Sequence, residues 1–212
     1  MSPSKKQSER KIKDKRKSNE TEIAVELNID GTGKSKIKTH IGLLDHMLDL
    51  FAFHGYFDLT LDVKRADLQI DIHHTNEDLG IVLGKAFKKA LGEKQGIRRF
   101  GSGFSPMEKT VGMTVVDLSG RGYLTLEIGE PGKAVPAIKD QDGYAMSYLE
   151  HFLESFAHGL GATVFVRIIN PSEDLHTNLE TVFKSLGLAL DEATRIDPRR
   201  NGVVPSTKGI ID

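Results

Sequence analysis

Between Glu22 and Leu27 the chain alternates, with Ile23, Val25 and Leu27 on one side and Glu22, Ala24 and Glu26 on the other. A period of two puts successive side chains on opposite faces, so this stretch predicts a half-buried strand. Asp30-Gly31-Thr32-Gly33 is a turn signal, and Ile37 falls on a strand returning from it. The period then changes. Leu43, Leu44, Met47, Leu48 and Phe51 recur at helical spacing, and the pattern stops near Gly55. Short strands are predicted over 57–63 and 68–72, followed by a helix from about Asn76 to Leu91 with Gly92 as its C-cap.

The second half repeats this order. Strands are predicted over 114–117 and 123–127, a helix over 148–157, an apolar strand over 162–169 and a final helix over 180–193. The residues repeat as well as the pattern. Leu44-Asp45-His46-Met47-Leu48-Asp49 has a counterpart in Leu149-Glu150-His151-Phe152-Leu153-Glu154, and His73-His74-Thr75-Asn76-Glu77 in His176-Thr177-Asn178-Leu179-Glu180. The expected class is therefore α+β, an internally duplicated unit of mixed sheet with helices packed on one face. The two repeats, residues 18–95 and 96–212, are expected to share one compact catalytic domain.

Composition narrows the partners. Charged residues make up 28% and nearly cancel, leaving a formal net charge of −1. Neither a nucleic acid nor a membrane surface is expected as a partner. With no cysteine in the chain, any metal must be held by His, Asp or Glu. The longest apolar runs, such as 162–169, are too short to span a bilayer. Residues 1–17 are rich in Lys and Arg and carry no apolar central stretch, unlike a secretory signal. They read as a basic disordered tail, with the cytoplasm as the default location.

The candidate chemistry lies in the repeated motifs. His73 and Glu77 are four apart and share one face of a helix, whereas His74 points about 100° further round the axis. Adjacent histidines on a helix thus serve two different sites. His176 and Glu180 repeat the i, i+4 pair, and His46 and His151 occupy equivalent helical places, each directly after an acid. Singly, each has a plain structural reading: a mid-helix histidine is commonly packed, and a His–Glu pair can merely support its helix. Their joint recurrence in both repeats is what points to metal. Imidazole and carboxylate without thiolate suit Mn, Fe, Zn or Ni, and octahedral geometry favours Mn.

Five segments occur in order: Leu44-Asp45-His46-Met47-Leu48, His73-His74-Thr75-Asn76-Glu77-Asp78, Gly96-Ile97-Arg98-Arg99-Phe100-Gly101, Asp117-Leu118-Ser119-Gly120-Arg121 and Pro205-Ser206-Thr207-Lys208-Gly209. Together with Asn19-Glu20-Thr21 and Glu150-His151-Phe152, the chain from about Ser18 to Ile211 resembles the imidazoleglycerol-phosphate dehydratase family. The resemblance implies a duplicated α+β unit like the second domain of a small-subunit ribosomal protein, assembled into a symmetric homo-oligomer of 24 subunits. It implies two Mn²⁺ ions held between subunits by His46, His73, His74, Glu77, His151, His176 and Glu180. It further implies a small-molecule phosphate substrate met by Arg99, Arg121, Ser206 and Lys208. Arginine suits the first two places because its fork grips phosphate oxygens in pairs. Glu20 and Glu180 are implied for acid–base work, their two roles unassigned. The implied reaction dehydrates imidazole glycerol phosphate to imidazole acetol phosphate in histidine biosynthesis. It removes a proton from an unactivated carbon next to an imidazole, a step that metal ions on the ring nitrogens would ease.

The chain departs from the family pattern at three places. Thr177 stands where the second of two adjacent histidines belongs, Leu50 replaces a common glutamine, and Leu43 a frequent phenylalanine. For Thr177 three readings stand open: water fills the vacancy, His158 moves in, or an ion and its activity are lost. The alternative function is a non-catalytic or substrate-shifted relative that retains a metal-stabilised oligomer.

Overall fold

The structure, a computed structural model, describes residues 10–211. The first half supplies β1 (Lys11–Lys17), β2 (Glu22–Asn28), β3 (Ser35–Lys38), α1 (Gly42–His54), β4 (Asp58–Arg65) and α2 (His73–Leu91). Its strands form a mixed sheet in the order β1-β2-β4-β3, in which only the β3–β4 pairing is parallel. The alternation in β2 sets the register. Val25 lies opposite Leu61 and Leu27 opposite Leu59, so both strands turn apolar side chains to one face.

The second half supplies β5 (Phe100–Met107), β6 (Thr110–Asp117), β7 (Tyr123–Ile128), α3 (Met146–Leu160), β8 (Thr163–Ile169) and α4 (Leu175–Thr194). Its sheet has the order β5-β6-β8-β7, again with the last pair parallel, so the two topologies are the same. The class is α+β and the unit is duplicated. Each sheet carries its two helices on one face, and the helices meet across the repeats: α2 runs along α3 and α1 along α4. At the centre of this helical layer, Phe51, Phe87 and Phe156 stack edge-on with centroids 5.9–6.4 Å apart.

The α2–α3 seam is unusually close because it contains no side chains at its tightest points. A Cβ placed at Gly84 would lie 2.4 Å from the Phe156 carbonyl oxygen, and one at Gly80 2.6 Å from that of Phe152. Only glycine lets the two backbones approach this far. The seam therefore fixes how α2 and α3 present their N-terminal turns to each other.

Four expectations need correction. The basic segment 1–17 is not all tail: residues 1–9 lie outside the described residues, but Lys11–Lys17 is the edge strand β1, paired in full register with β2. Ile12 packs on the core while the lysines alternate outward, and Arg16 reaches Asp78 on α2 at 2.7 Å. Charge on an exposed edge strand keeps it from pairing with other chains, so its composition mimics disorder. Residues 68–72 form a turn instead of a strand, because the Ile70 amide bonds the Asp67 carbonyl and Asp71 accepts from the His73 amide at 2.6 Å. That bond starts α2 at His73, earlier than its apolar period suggests. β3 pairs with β4, so the chain after the turn does not fold back on β2. Finally, β5 was not anticipated. Gly101 and Gly103 interrupt its alternation where α4 crosses, and a Cβ at Gly103 would sit 2.1 Å from the Ser185 carbonyl oxygen.

Candidate active site

The helix pairing brings the repeated motifs together crosswise. His46 on α1 meets His176 and Glu180 on α4, in the other repeat. The His46 and His176 ring centroids are 5.1 Å apart. Their Nε2 atoms lie 3.7 Å and 3.2 Å from Glu180 Oε2. These three residues place one donor atom each within 4.8 Å of one another. Lys184, one turn on, donates to the other oxygen of Glu180. Burial alone raises the Glu180 carboxyl, but the hydrogen bonds and charges of Lys184 and His176 outweigh it and hold the group below the usual carboxylate range.

The equivalent residues of the other motifs lie near one another more loosely, without three ligand atoms converging as in the first cluster. His73 and Glu77 open α2, with Nε2 3.5 Å from Oε2, and His151 on α3 lies against His73 with centroids 4.6 Å apart. His151 Nδ1 is buried and, among the described residues, is the one buried side-chain polar atom with no hydrogen-bond partner. An unpaired buried polar atom costs about 1–3 kcal/mol, which a bound cation would recover. That orphaned nitrogen lies beside the His73 ring, which in turn faces Glu77, a donor set of imidazole and carboxylate whose chemistry suits a divalent cation.

His74 turns away from this cluster. Its Nδ1 lies 2.7 Å from Asp67 Oδ2, and Glu20 completes a separate trio with donor atoms within 4.8 Å. The pair stabilises both charged forms, His74 raising and Asp67 lowering their proton affinities through that shared bond. Thr177, the counterpart of His74, is buried and committed: its amide and hydroxyl both donate to Asp174, at 2.9 Å and 2.7 Å, capping α4. His158 does not approach it, lying instead over Gly122 near the end of α3. Leu50 packs against the core.

The residues expected to meet the phosphate lie elsewhere. The Arg99 guanidinium grips Asp117 through two bonds of 2.6 Å and 3.1 Å and donates to the Pro205 carbonyl at 3.0 Å. It thereby ties the loop of Ser206 and Lys208 to the end of β6. Arg99 has φ 78°, in the left-handed region that arginine rarely adopts. Such strain is often held where a side chain must be aimed. Arg121 lies exposed in the adjoining loop, where Ser119 donates to its carbonyl. Two neighbours of the clusters escaped the sequence reading, Asp67 and Lys184; the charge of Lys184 also acts on His54, which burial first of all holds below the ordinary histidine value. Lys184 could have been found as an i, i+4 partner of Glu180. Asp67 carries no such signal, since a turn separates it from His74.

A duplicated α+β fold that draws the repeated His and Glu motifs together across its helices offers candidate groups for a metal ion, as a metal-dependent enzyme requires. Comparison with known proteins agrees. The family model described as imidazoleglycerol-phosphate dehydratase matches residues 39–190. The protein of that name from Thermoanaerobacter pseudethanolicus is 47% identical over 95% of this chain and all of its own length. That from Bacillus pumilus is 45% identical over 92% of this chain and 96% of its own. Among solved structures, the Pyrococcus furiosus enzyme in complex with (S)-C348 superposes with TM-score 0.76 at 34% identity, covering 93% of this chain and 99% of its own. The Staphylococcus aureus enzyme gives TM-score 0.74 at 27% identity, covering 88% and 99%. The chain belongs to the imidazoleglycerol-phosphate dehydratase family. It is a hydro-lyase of histidine biosynthesis that dehydrates imidazole glycerol phosphate to imidazole acetol phosphate.

Proposed function

We propose that the dehydration is run at the two crosswise clusters, with Mn²⁺ as the metal. One ion would be held by His46, His176 and Glu180, the other by His73, Glu77 and His151, and His74 would be offered to an ion of a neighbouring subunit. The observation that carries this reading is the buried, unpartnered Nδ1 of His151 beside His73. When bound, the ions supply Lewis-acid stabilisation of negative charge on the substrate's imidazole nitrogens. The chain's own residues do the remaining work. Glu180, kept ionised by Lys184 and His176, and Glu20 carry the two proton transfers that dehydration needs, one off the carbon and one onto the departing hydroxyl. Arg121, Ser206 and Lys208 bind the phosphate, while Arg99 adds charge and fixes the loop of Ser206 and Lys208.

Geometry also supports a homo-oligomer. The metal ligands sit near the helix N-termini, whereas the Arg99 amide bonds the Ala193 carbonyl in the last turn of α4. Glu180 and Ala193 are thus roughly 20 Å apart along the axis at 1.5 Å per residue. One small substrate cannot bridge that distance within a chain, so a neighbour must supply one half of the site. A symmetric assembly such as the 24-subunit form would do so, with both repeats acting as one catalytic domain. No helix among the described residues is long and apolar enough to cross a membrane. The cytoplasm is the proposed location. Nothing observed favours a silent relative over the enzyme.

The test is turnover of imidazole glycerol phosphate by metal-stripped protein as Mn²⁺ is restored. Activity that follows the added Mn²⁺ supports the reading. Full activity without metal, or silence at saturation in folded, assembled protein, overturns it.

A further inference from the structure

We infer that Asp67 is a positioning residue that fixes the ring of His74 with Nδ1 protonated, leaving Nε2 as its ligand atom. The assignment rests on the reading of His74 as a metal ligand. The Asp67 side chain is only 7% exposed, whereas that of His74 is 37% exposed. A buried carboxylate 2.7 Å from Nδ1 accepts its proton and pins both tautomer and ring angle. Asp67 is itself held. Its second oxygen faces the Thr75 hydroxyl at 3.4 Å, and its carbonyl accepts from the Ile70 amide at 2.8 Å. The turn over residues 67–70 that replaced the expected strand is therefore what carries the carboxylate to the imidazole.

The need for this support follows from the asymmetry of the repeats. The equivalent place in the second repeat is Thr177, whose hydroxyl is spent on Asp174. His74 is then the sole second imidazole of the two motifs. An imidazole free to rotate on a partly exposed first turn would present a ligand atom only part of the time, so the fixed ring raises the affinity of whichever ion it reaches. Glu20, in the same trio, gains a fixed neighbour by the same bond.

The experiment is a double-mutant cycle on assembled protein, reading Mn²⁺ affinity by equilibrium titration for the wild type, D67N, H74N and the double variant. It is paired with solid-state ¹⁵N NMR of the His74 ring in metal-free protein. Asp67→Asn is expected to weaken Mn²⁺ binding about 10–100-fold, and to have no further effect once His74 is gone. Recorded at a pH high enough for the ring to be neutral, the wild-type spectrum is expected to show the Nδ1–H tautomer, and that preference should fall in D67N. Equal losses from Asp67→Asn with and without His74 would make Asp67 a general structural residue and overturn the assignment. So would an Nε2–H tautomer in the wild type, a result that needs no variant to fold. If H74N leaves Mn²⁺ affinity unchanged, the ligand reading of His74 fails and takes the assignment with it. If H74N weakens binding and D67N does not, the assignment alone fails.

Discussion

Replacing Gly84 by alanine tests whether the α2–α3 seam sets the geometry of the His73–Glu77–His151 cluster. In an exposed helix the substitution would stabilise by about 1 kcal/mol, because alanine restricts the unfolded chain. Here the new Cβ would meet Phe156 O at 2.4 Å, Leu160 N at 2.8 Å and Gly159 C at 3.0 Å, all of them backbone. No side chain can swing aside, so α3 must shift by roughly 1 Å to restore van der Waals distance. Overpacking of this kind costs about 1–3 kcal/mol, occasionally more. Set against the propensity gain, the expected net loss is up to about 2 kcal/mol. The same shift moves His151 relative to His73, and a misplacement of about 1 Å can cost on the order of a hundredfold in rate. Gly42→Ala is the control, since a Cβ there meets nothing within 4 Å. Denaturant unfolding at fixed protein concentration, which holds the contribution of assembly constant, should rank Gly84→Ala below wild type and Gly42→Ala at or above it. Turnover should fall in the first variant alone. Equal stability and turnover in the two variants would refute the reasoning.

Three further expectations follow from other parts of the molecule. Deleting residues 2–17 should lower stability and promote aggregation, because it strips β1 from β2 and leaves a bare strand edge; light scattering and unfolding would detect this, and an unaffected protein would restore the disordered-tail reading. Arg99→Lys should raise KM for the phosphate substrate about tenfold or more, since lysine cannot hold Asp117 in two bonds while also reaching the Pro205 carbonyl. Asp174→Ala should cost about 1 kcal/mol at neutral pH through loss of the α4 cap. The Asp174 carboxyl is held below its ordinary value of 3.8, chiefly by the Thr177 hydroxyl. Its stabilisation is therefore present above that value and lost as pH falls through the lower folded value, so the gap between wild type and variant should close in acid unfolding.

The fold was legible wherever one face of an element is buried. Ile23, Val25 and Leu27 announce β2, and the spacing of Leu44, Met47, Leu48 and Phe51 announces α1, because burial of one face imposes the period. It was illegible where something else sets the residue. In β5 the close passage of α4 selects glycine at 101 and 103, which erases alternation. In β1 protection of an edge selects lysine, which imitates a solvated tail. The ligand motifs were visible because helical spacing places His73 with Glu77 and His176 with Glu180. Their crosswise partners were not paired by sequence, since the meeting of α1 with α4 and of α2 with α3 depends on how two repeats dock. Asp67 was invisible for the same reason at smaller scale: a turn, not a period, brings it to His74.

The most direct test of the account is the Mn²⁺ stoichiometry of the assembled protein, measured by equilibrium dialysis for the wild type, H46N and H151N. The crosswise arrangement predicts two ions per chain in the wild type. Each single substitution should remove or sharply weaken one ion and leave the other, because His46 and His151 serve different clusters. Loss of both ions in either variant, or loss of neither in both, would contradict it.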